Sequence, residues 1–387
     1  MTTLRFVCWG HRRATGPLEA AYADFKRSHP DIDISIDVRP LSDFEHQGMP
    51  GVAAEYDFII YDHPFSGDIA KDRLFLPLDA HLPDLLGPQA AASYIGRSLE
   101  SYRLGGHVWG APIDAATQHA ALRPDLMERA GEAVPTRWDD VLALGRRLRA
   151  QGLFLGTAIH TPHALMTVGS LMANAGKPWA TDAEAAFTID REAFAEAYAK
   201  VRDLVALCPP EAFGWNSIDL HNAMVARDDV AYCPAVYGYA TYGEADQRRR
   251  LAFGPFPGAV APFEAGSILG GTAIGVSARC KHPEAAIAFV GHMLQPTVQL
   301  DLVPAHHGQP ALVAGWREPG NDERFNGFYS AAFSSLDTAW VRPRYPGYPV
   351  FQAEAGRVVA DGLKTGQDGR DVAATVAEMA LRCGTAA

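Results

Sequence analysis

The stretch Gly105-Gly106-His107-Val108-Trp109-Gly110-Ala111-Pro112-Ile113-Asp114-Ala115-Ala116-Thr117-Gln118 restricts the fold more than any other. A short apolar run is bracketed by Gly106, Gly110 and Pro112, so the backbone is extended but punctuated, as in a strand crossing from one body of protein to another. We read it as a hinge. A return crossing is expected over 267–276, after the turn-rich Gly254-Pro255-Phe256-Pro257-Gly258. Two crossings make each body discontinuous in sequence: residues 1–110 with 267–312 form lobe 1, and 111–266 with 313–387 form lobe 2. A chain of 387 residues is long enough for two such domains.

The chain before this stretch alternates between strand and helix patterns. Residues 4–9 are β-rich, and Leu18, Ala21, Tyr22 and Phe25 then repeat at helical spacing, with Pro17 expected at the first helical position. Ile32, Ile34, Ile36 and Val38 alternate with polar residues, and residues 56–62 form a nearly continuous apolar strand, as in a sheet covered on both faces. This is a βαβαβ pattern with a parallel sheet. Beyond the hinge, Thr136 stands three residues before Asp139, a helix-start signal close to a capping box for an amphipathic helix over 138–149. Helices are expected over 165–175 and 194–201, strands over 229–234 and 251–258, and a helix opening at Pro283. The last stretch, 322–382, reads as helices around the irregular 341–349.

The order Gly106-x-x-Trp109-Gly110-x-Pro112, a short helix behind it, then Pro135-Thr136-Arg137-Trp138-Asp139-Asp140-Val141, resembles the family 1 extracellular solute-binding proteins that feed ABC importers of sugars and related polar solutes. Companion segments follow in the same order: 56–64 with Leu76-Pro77-Leu78-Asp79, Val230-Ala231-Tyr232 with aromatics after it, and Gly254-Pro255-Phe256-Pro257-Gly258 ahead of Gly270-Gly271 and Pro283-Glu284-Ala285-Ala286. The likeness covers nearly the whole chain. It implies an α/β, periplasmic-binding-protein-like fold of type II, similar to maltose-binding protein, with two α/β lobes joined by a multi-strand hinge and a ligand cleft between them. It also implies a receptor rather than an enzyme, working with ABC permease subunits in the periplasm, with no cofactor.

Charge and composition exclude several classes. A net charge of −11 and a pI near 5.7 argue against sequence-independent nucleic-acid binding, which draws its affinity from cations on phosphates. No run of about 18 apolar residues offers a membrane-spanning helix, so no membrane insertion is expected, and the protein is expected to be a monomer. Five scattered cysteines suit reduced thiols better than a disulfide framework. Met1 leads straight into the first strand without an export-signal pattern, so a cytoplasmic protein is the alternative if Met1 is the native start.

In open α/β sheets, ligands sit beyond the carboxyl ends of the strands. The loop after the first strand supplies His11, Arg12 and Arg13, and the loop after the apolar strand supplies Asp62 and His63. Asp114 and Gln118 lie on the hinge strand, Gly271 and Thr272 on the return crossing, and Trp215, Asn216, Tyr237 and Tyr239 in the second lobe. Arg342 and Tyr345 in the irregular stretch complete the set. Acids, amides and flat aromatics suit polyhydroxylated ligands, whose hydroxyls need donors and acceptors and whose faces stack on rings. Arg12 and Arg13 point further, to an acidic group held by an arginine fork, so a sugar or a sugar acid is expected.

Each residue also has a plainer reading. Trp109 and Trp138 fit core packing, Asp62 and Asp114 fit turn capping, and Arg12 and Arg13 fit solvated charge. His160-Thr161-Pro162-His163 and His306-His307 lack a third ligand at suitable spacing, so no metal is expected. Glycines over 266–275 match neither phosphate-loop pattern, and no Gly-x-Ser-x-Gly elbow is present. The competing function is an intracellular enzyme or ligand sensor on the same fold, with His11, Asp62, His63 and Asp114 as acid-base groups.

Overall fold

The computed structural model describes the chain apart from residues 42, 44–47, 181–186 and 386–387. Eight strands carry the architecture: β1 (Thr2–Trp9), β2 (Ile32–Arg39), β3 (Phe58–Tyr61), β4 (Ala111–Leu122), β5 (Phe154–Leu155), β6 (Val230–Tyr237), β7 (Ala252–Gly254) and β8 (Leu269–Val276). The chain divides into two compact α/β units. Unit 1 holds Met1–Ala115, Gly270–Asn321 and Pro343–Pro349, and unit 2 holds Ala116–Leu269, Asp322–Arg342 and Val350–Ala387. The chain leaves unit 1 within β4 and re-enters it at the start of β8.

In unit 1 the strands run in the order β2, β1, β3, β8. β1 pairs in parallel with β2 along its full length and with β3, and β8 closes the series antiparallel to β3. All four residues of β3 are buried, as an apolar run covered on both faces requires. Helix α1 (Arg12–Ser28) covers one face with Ala14, Leu18, Ala21 and Phe25. Phe25 and Phe58 meet Phe289 of the helix Pro283–Met293 edge-on, at ring separations of 5.3 and 5.6 Å.

α1 starts five residues before the expected Pro17. His11 at its N-cap accepts the Arg13 amide on Nδ1 at 3.1 Å, and the carbonyl of His11 takes the amides of Ala14 and Thr15. Pro17 therefore lies inside the helix, on its buried side.

In unit 2, β4 pairs antiparallel with β6 and with β7, and β5 pairs in parallel with β6. β6 does not stop at Pro234 but runs on to Tyr237. The register shifts between His119 and Ala121 on the facing strand, so Pro234, which has no amide hydrogen, falls at an irregularity where no ladder bond is lost. Trp138 begins the helix Trp138–Ala150 fully buried, but the expected Thr136–Asp139 box does not form. Arg137 is the N-cap there, and its guanidinium pairs with Asp140 at 3.0 Å. The helices His163–Asn174, Arg191–Val205, Ser217–Ala226, Tyr348–Thr365 and Gly369–Thr385 make unit 2 the more helical of the two. Among the described residues, no helix is long and apolar enough to cross a membrane.

Candidate functional site

The antiparallel pairing of β8 with β3 matches Ala273 to Tyr61, so Gly271 and Thr272 lie where β3 ends and Asp62 and His63 begin. β1 runs parallel to β3 and delivers His11 and Arg12 to the same edge of the unit 1 sheet. Both side chains are half-buried. Asp62 caps the single turn His63–Phe65 by accepting the His63 amide at 2.8 Å, and its Oδ1 lies 3.0 Å from His63 Nδ1. The His63 ring is fully buried, edge-on to Tyr102, whose hydroxyl donates to the carbonyls of Tyr61 and Gly271.

Asp114 and Arg13 form an ion pair almost closed to water. Arg13 Nε lies 2.8 Å from Asp114 Oδ1 and Nη2 lies 2.7 Å from Oδ2. The amide of Thr272 donates to the same carboxylate. Burial pushes the Asp114 carboxyl above its ordinary range, against the pull of the Arg13 guanidinium, and the nearby Asp62 charge adds to the rise. Asp114 therefore joins α1, β4 and β8.

Tyr345 reaches unit 1 on the segment Pro343–Pro349. The segment is seated on the helix Ser66–Asp72, where a Cβ on Gly67 would lie only 1.9 Å from the carbonyl oxygen of Arg344. Asp68 accepts the Gly347 amide at 2.8 Å, and burial raises its carboxyl above the ordinary range. The Arg344 guanidinium donates to the carbonyls of Glu100 and Arg103.

In unit 2, Gln118 and Tyr237 are register partners on β4 and β6. Gln118 is buried and bonded at both ends of its amide. Nε2 donates to Thr167 Oγ1 at 3.2 Å, and Oε1 accepts from Ser170 Oγ at 2.8 Å. Tyr237 is half-buried, with its hydroxyl donating to the Leu269 carbonyl at 3.4 Å. Tyr239 is buried beside His221, which stacks on Tyr242 at 4.7 Å. His221 Nδ1 meets the Ser217 carbonyl at 2.6 Å, so that nitrogen carries the proton. Asn216 caps the helix Ser217–Ala226 and completes a capping box with Asp219. Trp215 beside it is half-buried, with the Arg227 guanidinium 5.9 Å from its ring. Arg342 is buried and donates to Gln352 Oε1 at 2.9 Å.

Of the expected residues, the structure gathers His11, Arg12, Asp62, His63, Asp114, Gly271 and Thr272 at one edge of unit 1. It sets Trp215 and Asn216 at the N-terminal end of the helix Ser217–Ala226 and Tyr239 beside His221 of that helix, and gives Asp114, Gln118, Asn216 and Arg342 protein partners. The sequence reading does not single out Ser217, His221 and Tyr242, and it weighs His163 only as a metal ligand. His163 Nδ1 lies 3.3 Å from Ser217 Oγ across 54 residues, a pairing that no local pattern announces. Among the described residues, no three His, Cys, Asp or Glu side chains are grouped as metal ligands.

The profile of the bacterial extracellular solute-binding protein family matches residues 12–300. No curated protein matches the chain in sequence. Among solved structures, maltose-bound MalE3 of T. maritima superposes with a TM-score of 0.83 at 16% identity, over 99% of this chain and 100% of that one. The GacH receptor of Streptomyces glaucescens, solved unliganded and with acarbose, gives 0.83 at 18% identity over 100% and 99%. A solute-binding protein of Agrobacterium radiobacter in complex with ribitol gives 0.80 at 16% identity over 99% and 98%. At such identities the likeness establishes the fold.

Proposed function

The chain belongs to the bacterial extracellular solute-binding proteins, and from that premise we propose that it captures a sugar or sugar-like polyol and hands it, unaltered, to the permease of an ABC importer. The observation that carries the choice of solute is the chemistry at the strand ends of unit 1. Donors (Arg12 and His11) stand at the same edge as an acceptor, the carboxylate of Asp62. Hydroxyl groups, which donate and accept at once, match such a mixture. In unit 2, Trp215 and Tyr237 offer half-buried aromatic faces of the kind on which sugar rings stack. Solved relatives with maltose and ribitol support the same class. We place the protein outside the cytoplasm with its family.

The test is a thermal melt with maltose, tagatose, ribitol, D-mannitol and their sugar acids, followed by calorimetry on any solute that raises the melting temperature and by mass spectrometry of the recovered solute. A rise with one of them, and recovery unchanged, is expected. No rise with any member would sink the reading, and turnover of the solute would make the protein an enzyme.

A further inference from the structure

Arg12 and Arg13 are neighbours in sequence, yet their guanidinium groups are placed in different chemistry. Arg12 is half-buried at the first position of α1. Arg13 turns inward and spends Nε and Nη2 on the two oxygens of Asp114, at 2.8 and 2.7 Å, in the parallel fork that guanidinium and carboxylate planes allow. Both partners are almost closed to water, with side chains 4% and 7% exposed. A buried guanidinium cannot shed its proton, so it must keep a counter-charge. Asp114 supplies that charge from β4, and the Thr272 amide holds the carboxylate in place.

We infer that Asp114, acting through Arg13, sets the charge class of the solute: with the carboxylate in place the unit 1 edge takes a neutral polyol, and without it the Arg13 fork becomes a site for a carboxylate. Asp114 is thus a specificity-determining residue that works from behind the ligand-facing groups. Removing its side chain leaves a space of carboxylate size in front of two unsatisfied N–H donors. A formate ion fits that space and restores the same two bonds. The acidic end of a sugar acid offers the same chemistry, so a solute differing from a polyol only by carboxylate in place of a hydroxymethyl group gains where the polyol does not. The affinity part of this inference rests on the solute-receptor reading; the formate part does not.

The experiment compares the wild-type protein, Asp114→Ala, and the double variant Arg13→Gln with Asp114→Asn. Melting temperature is measured in sodium formate against sodium chloride of equal strength, and affinity is measured for D-mannitol against D-mannonate. Formate should raise the melting temperature of Asp114→Ala and leave the other two unmoved. The mannonate-to-mannitol affinity ratio should rise at least tenfold in Asp114→Ala and return to the wild-type value in the double variant. An equal formate effect in all three proteins, or an unchanged ratio in a variant that still binds, overturns the inference. If Asp114→Ala does not fold even in formate, the Arg13 fork does not take up the carboxylate and the inference falls. If the wild-type protein binds no sugar, polyol or sugar acid, the receptor reading fails and the claim on solute charge falls with it, while the formate comparison still decides whether the Arg13 fork takes a carboxylate.

Discussion

A side chain on Gly238 would collide with His119: a Cβ there would lie 1.8 Å from His119 Nε2. The imidazole, edge-on to Phe253 and Phe328, occupies the room that glycine leaves between Tyr237 and Tyr239. Gly238→Ala should therefore destabilise the protein by about 1–3 kcal/mol, the usual cost of overpacking a filled interior. Denaturant unfolding gives the value, and a loss below about 0.5 kcal/mol would show that the ring swings aside freely.

Arg123 is completely buried at the end of β4. Its guanidinium forks onto Asp125 at 2.8 and 2.7 Å and donates to the carbonyls of Met224 and Arg227, at the C-terminal end of the helix Ser217–Ala226. A cation suits that helix end, and its loss takes a buried donor from two carbonyls, while the Asp125 carboxylate remains open to water. Arg123→Ala should cost about 2–3 kcal/mol through the carbonyls left without a donor, and Arg123→Lys, which cannot fork, should recover only part of it. Equal stability of the Ala and Lys variants would contradict this.

Arg227 donates to both oxygens of Asp229 at 2.8 Å and holds that carboxyl below its ordinary value of 3.8. A carboxyl depressed in the folded state stabilises in its ionised form. Its contribution is complete above about pH 5, begins to fall near the unfolded value and is lost as the pH drops through the lower folded value. The stability difference between the wild-type protein and Asp229→Asn should be constant from pH 8 to about 5 and shrink below 4. A difference that grows on acidification would reverse the assignment.

Solute at a hundred times its Kd should raise unfolding stability by about 2.7 kcal/mol. Arg12→Ala should weaken binding by about 1.5–3 kcal/mol if its charged hydrogen bond reaches the solute. Calorimetry against the solute found in the melt screen reads this directly, and an unchanged Kd would place Arg12 outside the contact.

Much of the framework of unit 1 was legible because periodicity survives without context. The alternation of Ile32, Ile34 and Ile36, and the apolar run ending at Tyr61, each appear where the strands are. The start of α1 was not legible, since histidine is not among the preferred N-cap residues and Pro17 imitates a helix beginning. The continuation of β6 past Pro234 depended on an irregularity in the facing strand, which no window around Pro234 contains. Site chemistry was legible as residue type but not as partnership. Asp114 and Gln118 carry the polarity expected of them, yet their partners stand 101 residues before the first and 52 after the second, and only the fold brings them together. Tyr345 was noticed as an aromatic in an irregular stretch, but its seat depends on Gly67 and Asp68, with 279 residues between Asp68 and Gly347.

That seat on Gly67 and Asp68 bears on how the protein is made. The last piece of unit 1, Pro343–Pro349, emerges after most of unit 2 has been synthesised, and it is followed by the final piece of unit 2. Unit 1 must wait for Pro343–Pro349 and unit 2 for the segment that follows it, and no single cut in the gene yields either one whole.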